Sequence, residues 1–334
     1  MSRVLTLGAA INEALHIAME TDPDVILLGE DVAGGGERAG DDIDEMGGVL
    51  GTTKGLVKAF PDRVLDTPIS EMGILGTAVG AAATGLRPVA ELMFIDFLGT
   101  CLDPLLNQAA KLRYMFGGKA RIPLTVRTVT GASMQSAAQH SQSLYWMTAG
   151  IPGLKTVIPS NPYDAKGLLL ASIRSDDPVI FCEAKLVLGA KGEVPEGDYE
   201  VPLGKANLVR EGGDVSLIGF GGTVPMCLKA AKKLAEEGIE ADVLDLRSLM
   251  PLDEEAILAT LAKTGRVVVV DESTPRSSVA SDIAALCVDQ GFDSLETPVR
   301  RVTAPHTPVP FSRPLEQAFL PSPAKIIEAV RSQD

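Results

Sequence analysis

The fold is decided by a short apolar stretch, Val-Ile-Leu-Leu-Gly-Glu-Asp at positions 25–31, which reads as a buried strand ending in two carboxylates. The segment before it, from Ser2 to about Asp22, carries apolar residues at helical spacing. A continuous apolar strand next to an amphipathic helix is typical of a parallel sheet covered by helices. We therefore expect an α/β fold.

Strands and helices keep alternating along the rest of the chain. The first series has predicted strands at 63–66, 88–94, 122–130, 154–158 and 179–183, and predicted helices at 71–85, 103–116 and 162–174. The second has predicted strands at 214–219, 241–246, 266–271 and 299–303, and predicted helices at 224–237, 253–264 and 277–290. We therefore expect two three-layer domains.

Two segments lack periodicity. Residues 34–44 mix glycines with charged residues, which predicts a mobile surface excursion. Residues 191–203 contain Gly, Pro and acidic residues and are predicted to be a linker. The predicted domains are therefore 1–190 and 204–334.

Composition excludes several classes of protein. The 334 residues include 30 basic and 44 acidic ones, for a formal charge of -14, which would repel nucleic acid and anionic lipid. No apolar run reaches the ~18 residues of a membrane span, and the N-terminus has no signal-peptide pattern. The four cysteines form no CxxC pair, so we expect reduced, structural thiols. A cytoplasmic protein is predicted.

Several motifs carry a resemblance to a known family. The motifs at 66–73 (DTPISEMG), 91–97 (ELMFIDF) and 137–143 (AAQHSQS) resemble the β subunits of 2-oxo acid and acetoin dehydrogenases. The likeness continues at 152–155 and 162–168 and spans about Ala9 to Val330. It implies a transketolase-type pyrimidine-binding domain followed by a transketolase C-terminal domain, in agreement with the two α/β series.

The resemblance also implies a cofactor and partners. In this family thiamine diphosphate lies between two subunits, with its pyrimidine ring on β and its diphosphate and Mg²⁺ on α. The sequence has no Gly-Asp-Gly followed about thirty residues later by Asn-Asn, the metal-diphosphate motif of such enzymes. We expect a chain that is inactive alone, an α2β2 tetramer, and a lipoyl-bearing acyltransferase as a further partner.

Glu71 is the first candidate catalytic residue. By resemblance its carboxyl group hydrogen-bonds the pyrimidine ring of the cofactor, which then generates its own carbanion. Without the family, Ser70-Glu71 at a helix start also fits an N-cap followed by an acid that the helix dipole favours.

His140 is the second candidate catalytic residue. It lies in a polar stretch, where an imidazole near neutral pH can steady an anionic intermediate or move a proton. The alternative is a loop histidine with an ordinary structural role. Of the other two histidines, His16 fits a helix face, and His306, among prolines, is predicted to be structural, with a place at the substrate entrance as the alternative.

Further cofactor contacts are predicted around Glu71. By resemblance Met93 and Phe97 pack on the pyrimidine ring, which suits a thioether and an aromatic face, and Ile69 adds an apolar neighbour. Glu30 ends a strand at the carboxyl edge of the sheet, where α/β proteins bind ligands. The alternatives are core packing for Met93 and Phe97 and a solvated strand end for Glu30.

Two further features concern ions and subunits. Some family members bind a structural K⁺ through backbone carbonyls, and the resemblance places these at Leu124, Ser172, Ile173, Ser175 and Asp177. Small residues recur through Gly73, Gly76 and Gly80, which predicts close packing against another helix, either in a partner subunit or within the domain.

The substrate is predicted from the segments 47–56, 91–97 and 113–119, which look closer to acetoin dehydrogenase β chains than to pyruvate or branched-chain ones. The implied reaction cleaves acetoin, releases acetaldehyde and passes a two-carbon unit to a lipoyl group. The polar stretch 131–136 departs from the pattern of a substrate entrance. Alternatives are a pyruvate or branched-chain 2-oxo acid dehydrogenase, a self-sufficient transketolase-type synthase, and a non-catalytic scaffold subunit.

Overall fold

The structure is a computed structural model that describes residues 2–34 and 47–333. The excursion predicted at 34–44 therefore lies, apart from Gly34, outside the described residues. The chain divides into two compact units. Unit 1 consists of the described parts of Met1–Val129, with Met147–Glu183 and Val187–Leu203, and unit 2 consists of Thr130–Trp146, Ala184–Leu186 and the described part of Gly204–Asp334.

Strands and helices alternate through the first two hundred residues. The strands are β1 (Ser2–Thr6), β2 (Val25–Gly29), β3 (Val64–Asp66), β4 (Arg87–Phe94), β5 (Thr125–Thr130), β6 (Lys155–Val157), β7 (Val179–Ala184) and β8 (Lys191–Pro195). The helices are α1 (Leu7–Thr21), α2 (Leu56–Ala59), α3 (Glu71–Ala83), α4 (Ala110–Met115), α5 (Tyr145–Ala149) and α6 (Pro162–Arg174). A π-helical turn, Pro104–Ala109, leads directly into α4.

The sheet of unit 1 is parallel and buried. Its strands lie in the order β3-β2-β4-β5-β7-β6. Every residue of β5 and β7 is buried, as expected where helices cover both faces of a parallel sheet. Helices α1 and α6 pack against each other, while α3 packs against β4 and β2. The α/β prediction is confirmed for this unit.

The first residues and the predicted linker differ from expectation. Ser2–Thr6 are not helical but form β1, which pairs antiparallel with β8 from Ser2↔Pro195 to Thr6↔Lys191. The start of the segment 191–203 is therefore a strand rather than irregular linker. Thr6 is both the last residue of β1 and the N-cap of α1, where its hydroxyl accepts a hydrogen bond from the Ala9 N–H at 3.1 Å. Because the strand and the helix adjoin directly, the helical pattern alone did not separate them. The domain limits at 190 and 204 stay a prediction.

Unit 2 contains a second sheet. The strands of this unit are β9 (Asn207–Arg210), β10 (Val215–Gly219), β11 (Ala241–Asp245), β12 (Ser248–Met250), β13 (Val267–Asp271) and β14 (Arg300–Thr303), and its helices are α7 (Val224–Ala235), α8 (Glu254–Thr264), α9 (Val279–Gly291), α10 (Arg313–Phe319) and α11 (Pro323–Arg331). Five strands lie in the order β14-β13-β10-β11-β9, and only β9 is antiparallel to its neighbour. Sequence reasoning missed the short β9 and β12.

Side chains on alternate positions of β10 show the layers of unit 2. Val215 and Leu217 enter an apolar cluster with residues of α7 and α11. Ser216 points to the other face, where its hydroxyl lies 2.7 Å from the hydroxyls of Thr260 and Thr264 on α8. Because successive side chains of a strand face opposite ways, helices cover both faces. The predicted three-layer arrangement is confirmed here.

Two expectations from composition can be compared with the described residues. The four cysteines are buried and free, as predicted. Among residues 2–34 and 47–333, no helix is long and apolar enough to cross a membrane.

Candidate active site

The site predicted around Glu71 lies where three neighbouring strands end. The chain goes from β2 to β3 on one side and then to β4 on the other side of β2. Such a change of direction opens a crevice at the carboxyl ends of the strands, where α/β proteins bind ligands. Glu30 directly follows β2, and Glu71 comes five residues after the end of β3. The sheet topology therefore brings both acids to one edge.

Glu71 is the first residue of α3, and its carboxylate is only partly buried. Ser70 stands at the N-cap position, but its side chain accepts no capping hydrogen bond, so that part of the structural alternative is wrong. The Thr100 hydroxyl donates to Glu71 Oε2 at 3.3 Å. The helix N-terminus favours an anion at this position. Glu71 is thus a carboxylate held at a helix start and open on one side.

Glu30 and Glu71 belong to a group of carboxylates. Burial raises the pKa of Glu30, and repulsion from Asp31, Glu71 and Glu91 raises it further. Glu91 lies on β4, where its backbone pairs with Gly29 at the end of β2. Negative charges at this edge would repel a diphosphate but would accept hydrogen bonds from a ring with N–H donors. The arrangement suits the pyrimidine end of a thiamine cofactor.

Arg127 on β5 supports this edge from inside the unit. It is 2% exposed and forms ion pairs with Glu91 at 2.9 Å and Glu183 at 2.7 Å. It also donates to the Thr52 hydroxyl at 2.9 Å. Burial acts to lower the pKa of Arg127, but the attraction of Glu183 and Glu91 raises it overall. The buried cation therefore stays charged and fixes Glu91 at the end of its strand.

The apolar residues predicted to contact the cofactor differ in exposure. Ile69 is 74% exposed and Phe97 is partly buried, with its ring edge-on to Phe94 at 5.8 Å. Met93 is only 8% exposed and lies beside the buried Arg127 ion pairs. Ile69 and Phe97 can offer apolar surface to a ring, whereas Met93 has little exposed surface, and its contact with the cofactor stays a prediction.

His140 lies in unit 2, on the irregular segment Gly131–Leu144 that follows β5. Its backbone carbonyl accepts a hydrogen bond from the ammonium group of the buried Lys185. The residues before it adopt left-handed backbone conformations, with φ of 112° at Ser133, 52° at Gln135 and 57° at Ala137. Such values are costly for residues other than glycine. The polar character noted in the sequence thus belongs to a tightly bent turn.

Unit 2 also contains a cavity of about 500 Å³ beside this segment. It is lined in part by Ser141, Ser143, Trp146, Glu272, His306 and Phe319. His306 was predicted to be structural, but it is exposed and faces this space.

The predicted potassium ligands fit a cation poorly. Hydrogen bonds from the protein already reach the carbonyl oxygens of Leu124, Ser172, Ile173, Ser175 and Asp177. Two of these, on Ile173 and Ser175, accept from the Arg87 guanidinium at 3.3 Å. A guanidinium at two of the five oxygens would repel a second cation. The potassium site therefore remains a prediction that this donor set does not favour.

Two further observations concern the surroundings of Glu71. Within the described residues, no group of three or more His, Cys, Asp or Glu is arranged to hold a metal. On α3, Gly76 and Gly80 are exposed, and a Cβ at either position would meet nothing within 4 Å. Among the described residues, therefore, nothing packs closely against Gly76 or Gly80, which does not favour the intradomain alternative at these two positions.

Sequence reasoning missed Arg127, Glu91 and Thr100 as parts of this site. A signal existed for Arg127, because an arginine inside the β-branched run Thr125–Thr130 must be paired when the strand is buried. Glu91, inside the apolar strand β4, carries the same signal. Nothing in the sequence singles out Thr100, since a threonine on a surface turn is ordinary.

Models of two known domains match nearly the whole chain. The pyrimidine binding domain of transketolase matches residues 3–190, and the transketolase C-terminal domain matches residues 204–326. A solved structure described as a split gene transketolase, an inactive beta4 tetramer, superposes with a TM-score of 0.78 at 21% identity, covering 98% of each chain. At that identity the likeness shows the fold.

Curated relatives are much more similar in sequence. The acetoin:2,6-dichlorophenolindophenol oxidoreductase subunit beta of Bacillus subtilis is 60% identical, covering 98% of this chain and 96% of the relative. The protein of the same name from Cupriavidus necator is 54% identical over 99% and 98%. The pyruvate dehydrogenase E1 component subunit beta of Bacillus subtilis is 42% identical over 98% of both. The chain therefore belongs to the transketolase-like family of dehydrogenase and oxidoreductase β subunits.

Proposed function

We propose that this chain is the β subunit of a thiamine diphosphate-dependent enzyme that cleaves acetoin and passes on a two-carbon unit. The substrate rests on one observation: two relatives named for acetoin are 60% and 54% identical to this chain, against 42% for a pyruvate dehydrogenase β subunit. Pyruvate or a branched 2-oxo acid is the alternative substrate.

Glu71 carries the chemistry that this chain contributes to the cofactor. When bound, thiamine diphosphate supplies a nucleophilic carbon that breaks the bond between the two oxygen-bearing carbons of acetoin. The Glu71 carboxylate, partly buried at the start of α3, would hydrogen-bond a ring nitrogen of the pyrimidine. Ile69 and Phe97 would provide apolar contacts, and Glu30, whose pKa is raised by burial and by neighbouring carboxylates, would be a second acid at this edge.

His140 has a separate proposed role. As an imidazole near neutral pH it would hydrogen-bond an oxygen of the substrate or move a proton there. The bent turn before it supports this role. Costly backbone conformations persist only where the surrounding structure holds them, and they cluster at functional sites.

The partners follow from the charge of the site and the names of the relatives. The carboxylates around Glu71 are unsuited to a diphosphate, so we assign the diphosphate and its Mg²⁺ mainly to a separate α subunit. The relatives named as beta subunits support such an α partner. The proposal includes an α2β2 tetramer, a lipoyl-bearing acyltransferase that receives the two-carbon unit, and a cytoplasmic location. A structural K⁺ at the carbonyl groups named above rests on the family resemblance alone.

The proposal is tested by thiamine-dependent reduction of an artificial electron acceptor. The chain is measured alone and with its co-encoded α chain, using acetoin, pyruvate and a branched 2-oxo acid. Activity only in the mixture, and fastest with acetoin, is the expected result. Preference for a 2-oxo acid would keep the cofactor chemistry and overturn the substrate, and activity of the lone chain would overturn the shared site.

A further inference from the structure

Two buried carboxylates in unit 2 face the bent turn Gly131–Ala137. Glu272, directly after β13, is 5% exposed, and Glu316, in the middle of α10, is 3% exposed. Among the described residues, neither glutamate forms an ion pair like that between Arg127 and Glu183, whose charged atoms lie 2.7 Å apart. A buried carboxylate is costly unless hydrogen bonds satisfy it, so the donors to these two groups matter.

The donors are backbone amides of the turn. The Ala132 N–H donates to Glu272 Oε1 at 2.6 Å. The N–H groups of Ser133 and Gln135 both donate to Glu316 Oε1 at 3.0 Å. An amide bond to a charged carboxylate is stronger than one between neutral groups, and a neutral carboxyl group still accepts an amide hydrogen bond. The two acids therefore hold three of the first five N–H groups of this turn.

The same bonds explain how the turn keeps costly backbone angles. Ser133, Gln135 and Ala137 all have positive φ, each a conformation that costs of order 1–3 kcal/mol without external support. Gly131 has φ of 89°, and a Cβ there would collide with the Glu272 carboxylate. The carboxylates thus lie directly against the turn, and the turn residues suit that contact.

Beyond the turn, two further hydrogen bonds hold the segment that carries His140. The Tyr145 hydroxyl donates to Asp271 at 2.6 Å, one residue before Glu272. The Lys185 ammonium donates to the His140 carbonyl. His140 therefore lies between a turn held by Glu272 and Glu316 and an anchor formed by Tyr145 and Asp271.

The geometry points to Glu272 and Glu316 as positioning residues, which hold the Gly131–Ala137 turn and thereby set the place of His140. The link to His140 rests on the role proposed above for that histidine. Neither acid is assigned a contact with substrate or cofactor.

The charges around Glu272 agree with this arrangement. Burial raises the pKa of Glu272 to about 8, the Ala132 N–H opposes the rise, Asp271 and Glu316 add to it by repulsion, and Lys185 opposes it by attraction. Glu272 therefore exchanges its proton near physiological pH while in contact with the turn.

The direct test is amide hydrogen exchange in the assembled α and β chains. Glu316→Ala removes the acceptor of two turn amides, so a peptide covering 131–137 is expected to exchange about tenfold faster or more. Glu316→Gln keeps an acceptor oxygen and is expected to restore most of the protection. Glu328→Ala, an exposed glutamate on α11 of the same unit, is the matched control and should change nothing. Unchanged exchange in Glu316→Ala would overturn the proposal.

The link to His140 is tested by a double-mutant cycle on acetoin turnover. Glu316→Ala is expected to lower kcat by about ten- to a hundredfold, with little change in the affinity for thiamine diphosphate. In a His140→Ala background the same substitution should cost almost nothing further, because the position of a missing imidazole cannot matter. Additive losses would overturn the positioning role.

A second variant and a measurement without substrate separate a failure of folding or of the proposed function from a failure of the inference. If Glu316→Ala fails to assemble, Glu272→Ala, with Glu272→Gln as its conservative partner, is measured in the same way. Hydrogen exchange needs no substrate, so it tests the hold on the turn even if the complex proves inactive on acetoin. In that case the proposed function fails while the inference about the two acids is judged by exchange alone.

Discussion

The two candidate catalytic residues stand on different kinds of support. Glu71 is the first residue of a regular helix and follows a parallel strand, and its carboxylate receives one hydrogen bond from Thr100. His140 lies in an irregular segment whose shape depends on side chains far away in sequence, such as Glu272 and Glu316. Regular βα geometry places the first, and buried polar contacts hold the second.

This difference predicts which substitutions each site tolerates without loss of stability. A residue at a helix start can be changed with little effect on the fold, because the helix and the strands keep their own hydrogen bonds. A turn with left-handed residues depends on every acceptor that satisfies its amides. We therefore expect substitutions at the Glu71 edge to separate function from stability, and substitutions at the turn to couple them.

The buried ion pairs under the Glu71 edge are the exception to this contrast. Arg127→Met leaves Glu91 and Glu183 buried without their cation, which should destabilise the chain by about 3–5 kcal/mol. The measurement is the shift of the urea midpoint. Arg331→Met, which breaks an exposed pair with Glu237, should leave the midpoint nearly unchanged. Equal shifts in the two variants would remove Arg127 as the support of this edge.

The independence of function from fold is tested at Glu71 itself. Glu71→Gln should reduce acetoin-dependent turnover by about 10²- to 10³-fold, because an amide cannot exchange a proton with the pyrimidine ring as a carboxyl group does. The urea midpoint should stay within error of the wild type. Glu328→Gln provides the control. Retained turnover in the assembled mutant complex would contradict the catalytic assignment.

The coupling at the turn is tested at Gly131. Gly131→Ala adds a Cβ that meets the Glu272 carboxylate at a residue with φ of 89°, and we expect a loss of about 2 kcal/mol in stability. Gly238→Ala has a similar φ of 83° in the same unit, but its Cβ would meet nothing within 4 Å. A larger loss at Gly131 isolates the collision from the backbone strain. The same loss at both positions would mean that contact with Glu272 is unimportant.

The smallest expected effect is the contribution of Glu272 to the pH dependence of stability. Its pKa is about 8 in the folded chain, above the ordinary value of 4.5, so the folded state binds a proton that the unfolded state lacks. Stability from this group therefore falls as pH rises from about 5 to 8 and changes little above that. Glu272→Gln should flatten this part of the curve of midpoint against pH. Parallel curves for the two proteins would show that Glu272 does not titrate in this range.

Much of the architecture could be predicted from local patterns. The helix predicted at 162–174 is α6 to the residue, because Asn161 caps it and Pro162 begins it. Strands such as β7 were recognised from continuous apolar runs. The candidates Glu30 and Glu71 came close together because parallel strands end at one edge, a rule that sequence order already contains.

Other features depended on the folded chain. Residues Ser2–Thr6 and Lys191–Pro195 pair with each other across almost two hundred positions, and neither has a pattern that reveals its partner. The ion pairs of Arg127 and the contacts of Glu272 and Glu316 with the turn are equally non-local. The sequence by itself determined the alternation of strands and helices, the two α/β domains and the family, since these follow from periodicity and motifs. Only the tertiary structure decided which partners the buried charges have, Arg127 beneath the edge of Glu71 and Glu272 and Glu316 against the turn before His140, because burial and pairing arise when distant segments meet.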